Sequence, residues 1–382
     1  MPNRQAAWLF DQRIRGRALP GLRRWLARPF PDAVNSRVLI LYTANAICRS
    51  QVAPFLAYGS EIKQQLGGAV RFVKIEDATS APLSLFTSAT HILVQPWFTL
   101  KPADLRSLFA WLRSQAPQAG LSVLDGFAHN DLRMARDLPE DLAFYIKKAL
   151  FRDPAQYDVC WRGDTNLTQY YSDLFGIEAD PVDFRPPAGF AGKLRLGPNF
   201  FTAPRLMAGF KADAPPPQAG RQIDMQTRLG AKGSPWYSAM RQASLAAAEG
   251  LRGVSLSPAG RVSPQQYLAE MAQSRLCFSP FGYGELCWRD IEAFMTGAVL
   301  IKPDMGHLKT LPDLYEADVT YHPVEWDFSD LADVVTKALA DEDGRERMAQ
   351  AAYDRVKHYV DTAQFVQDMS ELFQPSIAET TR

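Results

Sequence analysis

The chain of 382 residues has no surplus of charge of either sign. Lysine plus arginine number 42, and aspartate plus glutamate also 42. The overall balance therefore points to no polyanionic partner, and nucleic acid is not expected to bind. Cysteine is scarce: Cys48, Cys160, Cys277 and Cys287 are the four, and none has CxxC spacing. They read as reduced thiols of a cytoplasmic setting, and neither a zinc site nor any other metal site is expected. No apolar run approaches the roughly 18 residues of a membrane span, and no secretory h-region is evident. What is present is the ordinary mix of a soluble protein with a sizeable core, 47% hydrophobic and 22% charged. The length suits two domains.

Charge is nonetheless uneven along the chain. Residues 1–30 hold seven arginines (Arg4, Arg13, Arg15, Arg17, Arg23, Arg24 and Arg28) against one acid, Asp11. Trp8, Leu9, Phe10, Leu22, Trp25, Leu26 and Phe30 are interleaved with them. Such a basic amphipathic segment can lie in an anionic membrane interface. It can equally be a surface helix packing its aromatics on the protein body, or a transit peptide.

Apolar runs at 37–42, 70–75, 91–95 and 121–124 read as strands, with helices expected over 50–66 and after Pro102. Helices are expected over 139–150 and 165–175, and a strand at 193–196. Residues 211–220 contain three consecutive prolines (Pro215, Pro216, Pro217) and form the best linker candidate. Beyond them the alternation restarts: strands at 223–227, 254–256, 276–278 and 298–301, and helices at 235–249, 264–273, 331–339 and 345–359. Strands alternating with helices imply α/β architecture with parallel sheets. The expected division is a basic segment at 1–30, a Rossmann-like domain at 31–210, a linker at 211–221, a second Rossmann-like domain at 222–345, and a closing helix and tail at 346–382.

The stretch 279–301 carries the chemistry. It runs Ser279-Pro-Phe-Gly282-Tyr283-Gly284-Glu285-Leu-Cys-Trp-Arg289-Asp-Ile-Glu292, then Gly297 and an apolar strand. Arg289 and Glu292, three apart, share one helical face near a helix N-terminus. The N-terminal amides favour an anion, Arg289 adds a fork suited to phosphate oxygens, and the carboxylate can accept from ribose hydroxyls. The competing reading is an i,i+3 ion pair on a helix surface. Arg228-Leu-Gly230-Ala-Lys232-Gly233 also follows a strand, and its cations and glycines can cradle a pyrophosphate; alternatively it is a basic surface turn. Both motifs fall at the carboxyl ends of strands in one parallel sheet, the edge that binds ligands.

Residues 222 to about 345 resemble the donor-binding half of a GT-B glycosyltransferase. The Pro/Gly loop, Arg289-x-x-Glu292-Ala and the following Gly297 are similar to the exostosin-type pattern, and Arg228…Lys232-Gly to the turn that contacts donor phosphates in group 1-like members. The resemblance implies two Rossmann-like domains with parallel sheets facing across a cleft. Its donor would be a nucleotide sugar, uridine or guanosine diphosphate-linked, with no cofactor. Arg228, Lys232 and Arg289 would hold the diphosphate and Glu292 the ribose. Gly282, Tyr283 and Gly284 would line the loop, and Gly306 and His307 would lie beside the donor sugar. Two departures matter. The Arg-to-Lys interval is one residue short, and six residues separate Glu285 from Glu292 where retaining members have seven. One residue turns a helix by about 100°, so an inverting mechanism is expected.

An inverting enzyme needs a base on the acceptor side. Asp125, at the end of a strand, is the first choice, with His129 as its partner or replacement; Asp164 is another candidate. For each the competing role is a turn or capping residue. The segment 43–50 (Thr-Ala-Asn-Ala-Ile-Cys48-Arg49-Ser50) resembles the phosphate loop of low-molecular-weight tyrosine phosphatases, but Thr43 stands where the nucleophilic cysteine would. Phosphatase chemistry is therefore not expected. The expectation is a cytoplasmic glycosyltransferase, peripheral on a membrane if residues 1–30 dock there. Its acceptor would be a saccharide or lipid-linked saccharide, as in polysaccharide biosynthesis. The alternatives are a sugar-nucleotide epimerase of the same shape and a non-catalytic sugar-nucleotide binder.

Overall fold

The computed structural model describes residues 20–374; residues 1–19 of the basic segment lie outside them. The first half opens with α1 (Pro20–Leu26), β1 (Ser36–Tyr42), α2 (Ala46–Ala57), α3 (Gly59–Leu66), β2 (Gly68–Lys74) and β3 (His91–Gln95). Then come α4 (Pro102–Gln115), β4 (Gly120–Asp125), β5 (Phe144–Lys147), β6 (Ala149–Phe151), α5 (Asn166–Phe175) and β7 (Leu194–Leu196). Six of these strands form a parallel sheet in the order β2-β1-β3-β4-β5-β7. Val38, Leu39, Ile40 and Leu41 are wholly buried, as a parallel strand covered on both faces requires.

The second half contains β8 (Ile223–Gln226), α6 (Pro235–Glu249), α7 (Pro264–Ala272), β9 (Ser274–Phe278), α8 (Trp288–Thr296), β10 (Val299–Pro303), β11 (Leu308–Thr310), β12 (Tyr321–Val324), α9 (Leu331–Ala340) and α10 (Glu342–Asp361). Its parallel sheet has the order β8-β9-β10-β12. The halves are laced together by an antiparallel ribbon, β6 with β11. After α10 the chain returns to the first half, where Phe365 meets Phe55 edge-on at 4.9 Å and stacks on Tyr58 at 5.6 Å.

The proline linker is fixed by one side chain. Arg221 is 3% exposed and donates to the carbonyls of Pro216, Pro217, Ser274 and Thr296. Residues 20–30 are fixed likewise: Arg71 of β2 donates to the carbonyls of Arg28 and Pro29 (2.7 and 2.8 Å), and Leu26 and Phe30 are buried. In this part of the basic segment the apolar side chains face the protein. No helix among the described residues is long and apolar enough to cross a membrane.

The sequence reading fails in two places. Residues 139–150 are not a helix. Phe144, Tyr145 and Ile146 lie in β5 between β4 and β7. Aromatic and β-branched residues in a short buried run suit a strand, and periodicity alone does not separate that from a buried helix. Residues 254–256 form no strand; only an isolated bridge joins Leu256 to Met225.

Candidate active site

The carboxyl edges of the two sheets face each other, and their loops touch. In the second half, the loop 279–287 is pinned at both ends on Asp290. That carboxylate accepts from Ser279 Oγ (2.5 Å), Cys287 N (3.1 Å) and Tyr315 Oη (2.7 Å), and pairs with Lys302 Nζ (3.1 Å). Asp290 and Lys302 are fully buried. A buried ion pair held by several hydrogen bonds fixes the loop's geometry and is weak evidence for added stability.

Arg289, in the first turn of α8, donates from Nη2 to the Arg228 carbonyl at 2.8 Å. Tyr267 hydrogen-bonds to both Arg289 and Glu292, so these two residues do converge. Burial raises the Glu292 carboxyl above its ordinary range, against the pull of Arg205 and Arg289. Arg228 is a correction. Its Nη2 donates to Glu270 at 2.8 Å, its Nε donates to the same carboxylate, and its Nη1 donates to the Gly260 carbonyl at 2.6 Å. With its fork filled by Glu270 of α7, the guanidinium is a structural clasp, and only the carbonyl of Arg228 reaches Arg289. Lys232 is exposed at the rim.

The cation that joins Arg289 is Arg241, which sequence reasoning missed. It is 5% exposed, and burial followed by the charge of Arg289 lowers its pKa. Neither Arg241 nor Arg289 is in an ion pair with a carboxylate among the described residues, and the buried Nε of each lacks a hydrogen-bond partner. Two like charges held close, neither in an ion pair with a carboxylate among the described residues, can together receive an oxyanion. The available signal was periodicity: Arg241 lies on the buried stripe of α6 with Trp236, Met240, Ser244 and Ala248. Beside the pair, Tyr283 stacks on Tyr237 at 4.5 Å, and its hydroxyl accepts from Ser234 N. Gly282 is adjacent: a Cβ there would stand 3.9 Å from Arg241 Nη2, an ordinary contact.

Across the cleft, Asp125 is not placed to act as a base. Its side chain is fully buried and accepts from Lys147 Nζ (2.6 Å), Tyr145 Oη (2.8 Å) and Phe127 N (2.8 Å). His129 is partly exposed. Its ring lies 6.1 Å from that of Tyr283, and its Nδ1 is 3.6 Å from Asp164 Oδ1. Asp164 is steadied by Thr168 Oγ1 (2.8 Å) and Arg133 Nη2 (3.2 Å). Burial lowers the His129 pKa, partly offset by Asp164, so the imidazole is neutral near pH 7. For Asp164, burial opposes ionisation, but His129, Thr168 and Arg133 outweigh it and the carboxyl titrates below its ordinary range.

Glu285 and His307 meet, which the sequence left open. His307 Nε2 is 3.2 Å from Glu285 Oε1, which also accepts from Asn166 Nδ2 of α5 at 3.3 Å. Burial raises the Glu285 pKa, but the His307 contact reverses this and holds the carboxyl below its ordinary range. Glu285 and Glu292 thus serve different partners. Gly306 is a tether, its carbonyl accepting from Arg152 Nε at 3.1 Å. In the segment 43–50, Thr43 Oγ1 donates to the Gln95 carbonyl and Asn45 caps α2, while burial pushes the Cys48 thiol up to about 12. It is a capped βα turn.

Gly284 marks a close approach of the halves: a Cβ there would sit 1.9 Å from the Ala128 carbonyl oxygen. Gly284→Ala is expected to push the His129 loop away from the 279–287 loop. Turnover should fall at least tenfold with smaller loss of donor affinity, since misplacement of reacting groups costs rate. Steady-state kinetics alongside donor titration checks this.

Residues 232–371 match the family described as glycosyl transferase-like. Among solved structures, the chain is similar to a glycosyltransferase from Rickettsia africae ESF-5, with 10% identity over 89% of this chain and 98% of that one and a TM-score of 0.44. It is also similar to the GtfA/B complex, with 12% identity over 74% of this chain and 56% of that one and a TM-score of 0.37. No curated protein matches it. The matched segment contains Arg241, Glu285, Arg289, Glu292 and His307. The second half is a glycosyl transferase-like domain. In front of it stands a second parallel-sheet unit, so the chain has the two-sheet α/β architecture that the sequence led us to expect.

Proposed function

We propose that the chain transfers a sugar from a uridine or guanosine diphosphate donor to a hydroxyl of a saccharide or lipid-linked saccharide, with inversion and without a metal. The carrying observation is the buried guanidinium pair of Arg241 on α6 and Arg289 in the first turn of α8, neither in an ion pair with a carboxylate among the described residues. It would hold the diphosphate and stabilise charge on the leaving group, the work a divalent cation does elsewhere. Glu292 would accept from the ribose. The stacked Tyr237 and Tyr283 stand beside the pair as its aromatic wall. His129, whose Nδ1 is 3.6 Å from Asp164, would take the acceptor proton as the hydroxyl attacks the anomeric carbon and the nucleoside diphosphate leaves. The separation of Glu285 and Glu292 into different hydrogen-bond sets supports inversion over a double-glutamate retaining scheme.

The test is titration of the full chain with UDP, GDP and their sugar conjugates, followed by NMR assignment of the product anomer. Conversion of a nucleotide sugar without acceptor would point instead to an epimerase. Membrane docking through the arginines of 1–30 is a separate element of this reading. Co-sedimentation with anionic vesicles tests it, and equal recovery with neutral vesicles would dismiss it.

Base catalysis by His129 predicts a pH dependence. The working form is the neutral imidazole, and burial depresses its pKa. Activity should therefore be full at neutral pH and fall with acid, with the midpoint in kcat/KM below the ordinary histidine value of about 6.5. A midpoint above that value would exclude the assignment.

A further inference from the structure

His307, the partner of Glu285, also borders a cavity that the proposed transfer chemistry does not use. It has a volume of about 540 Å³ and opens where the segment from β6 through α5 meets the loops after β10 and β12. Trp161, Tyr170 and Trp326 are on its wall, with Gln156, Asn166 and His307 among them. Tyr170 and Trp326 meet edge-on at 5.0 Å, and Trp326 meets the His307 ring at 5.0 Å.

Two atoms of this wall are unsatisfied. Asn166 is 8% exposed, and its Oδ1 is buried without a hydrogen-bond partner; so is His307 Nδ1. Buried polar atoms are nearly always paired. The opposite ends of the same two side chains hold Glu285. Among the lining residues the only carboxylate, Asp173, is engaged by Arg162, so the wall offers no free charge. Aromatic faces beside unspent amide and imidazole groups match a ring with apolar C–H faces and a rim of hydroxyls.

We propose that this cavity seats a neutral pyranose ring of the acceptor. This rests on the glycosyltransferase reading. The acceptor is assigned over the donor sugar because most of the wall comes from the first half, whereas the Arg241–Arg289 clamp belongs wholly to the second. Asn166 and His307 then couple the occupied cavity to Glu285.

The test is saturation-transfer NMR on the full chain with the methyl glycosides of glucose, galactose and mannose, with and without saturating UDP or GDP. At least one glycoside should give a signal that persists in the presence of nucleotide. Trp161→Ala and, independently, Gln156→Ala should each reduce that signal at least tenfold while leaving the nucleotide-induced thermal shift unchanged. Both residues are partly exposed, so folding is not at stake. No signal from any of the three glycosides, a signal indifferent to both substitutions, or one displaced by nucleotide alone would each overturn the proposal. A chain that seats a glycoside but binds neither nucleotide would instead overturn the transferase reading, and with it the acceptor role.

Discussion

Replacing Arg289 or Arg241 is expected to weaken nucleoside diphosphate binding by roughly a hundredfold each, in the case of Arg241 without loss of stability. The first figure follows from losing two charge-assisted hydrogen bonds at about 1.5 kcal/mol apiece, which together make about two decades in affinity. The second part follows from the absence of a counterion. In the free protein the two guanidiniums repel each other, and Arg241 is buried without a carboxylate in ion-pair distance. Arg241→Met keeps the length and apolar stem of the side chain and removes the repulsion. Its melting temperature should match or exceed that of the parent, while the nucleotide-induced shift collapses. Arg228→Met provides the contrast. It breaks the clasp to Glu270, so stability should fall while the oxyanion clamp remains. Calorimetric titration with UDP and GDP on the three variants, beside their melting curves, separates the roles. Undiminished affinity in Arg241→Met would remove that residue from the clamp.

The contrast between Arg228 and Arg241 shows what the chain makes legible. Local pattern placed Arg289 and Glu292 on one helical face and the glycine loop at a strand's carboxyl end, because both depend on neighbours a few residues away. It could not show that Glu270, 42 positions from Arg228, fills that arginine's fork. Nor could it show that Arg241, in an otherwise ordinary amphipathic helix, lies beside Arg289. The same limit explains β5: a short apolar run becomes strand or helix according to whether two other strands await it, and β4 and β7 do. Glu285 illustrates the reverse. Spacing alone separated it from Glu292, and the partners that give it a place, His307 and Asn166, come from β10–β11 and from the first half. The alternation of strands and helices into parallel sheets was readable because the hydrophobic pattern is repeated many times over, whereas the facing of two halves was implied only by the family resemblance.

Asp125 and His129 are four residues apart, and their substitution should have opposite signatures. Asp125→Ala is expected to destabilise the protein by about 3–5 kcal/mol, the cost of leaving a buried partner uncompensated. Lys147, 2% exposed, would keep only the carbonyls of His129 (3.3 Å) and Asp131 (2.8 Å). Activity would fall as a consequence, so a dead Asp125→Ala enzyme alone would not identify a base. The double variant Asp125→Ala/Lys147→Met resolves this. Removing both charges should recover much of the stability, and with it turnover to within about tenfold of the parent, since no reacting group has been touched. His129→Ala should behave in the other way. Its melting temperature should move little, while kcat falls by about 10²–10⁴ with donor affinity intact, the range for losing a positioned base. If instead the double variant folds as well as the parent and shows no turnover, Asp125 has a chemical role that its buried pairing conceals, and the base must be reassigned to it.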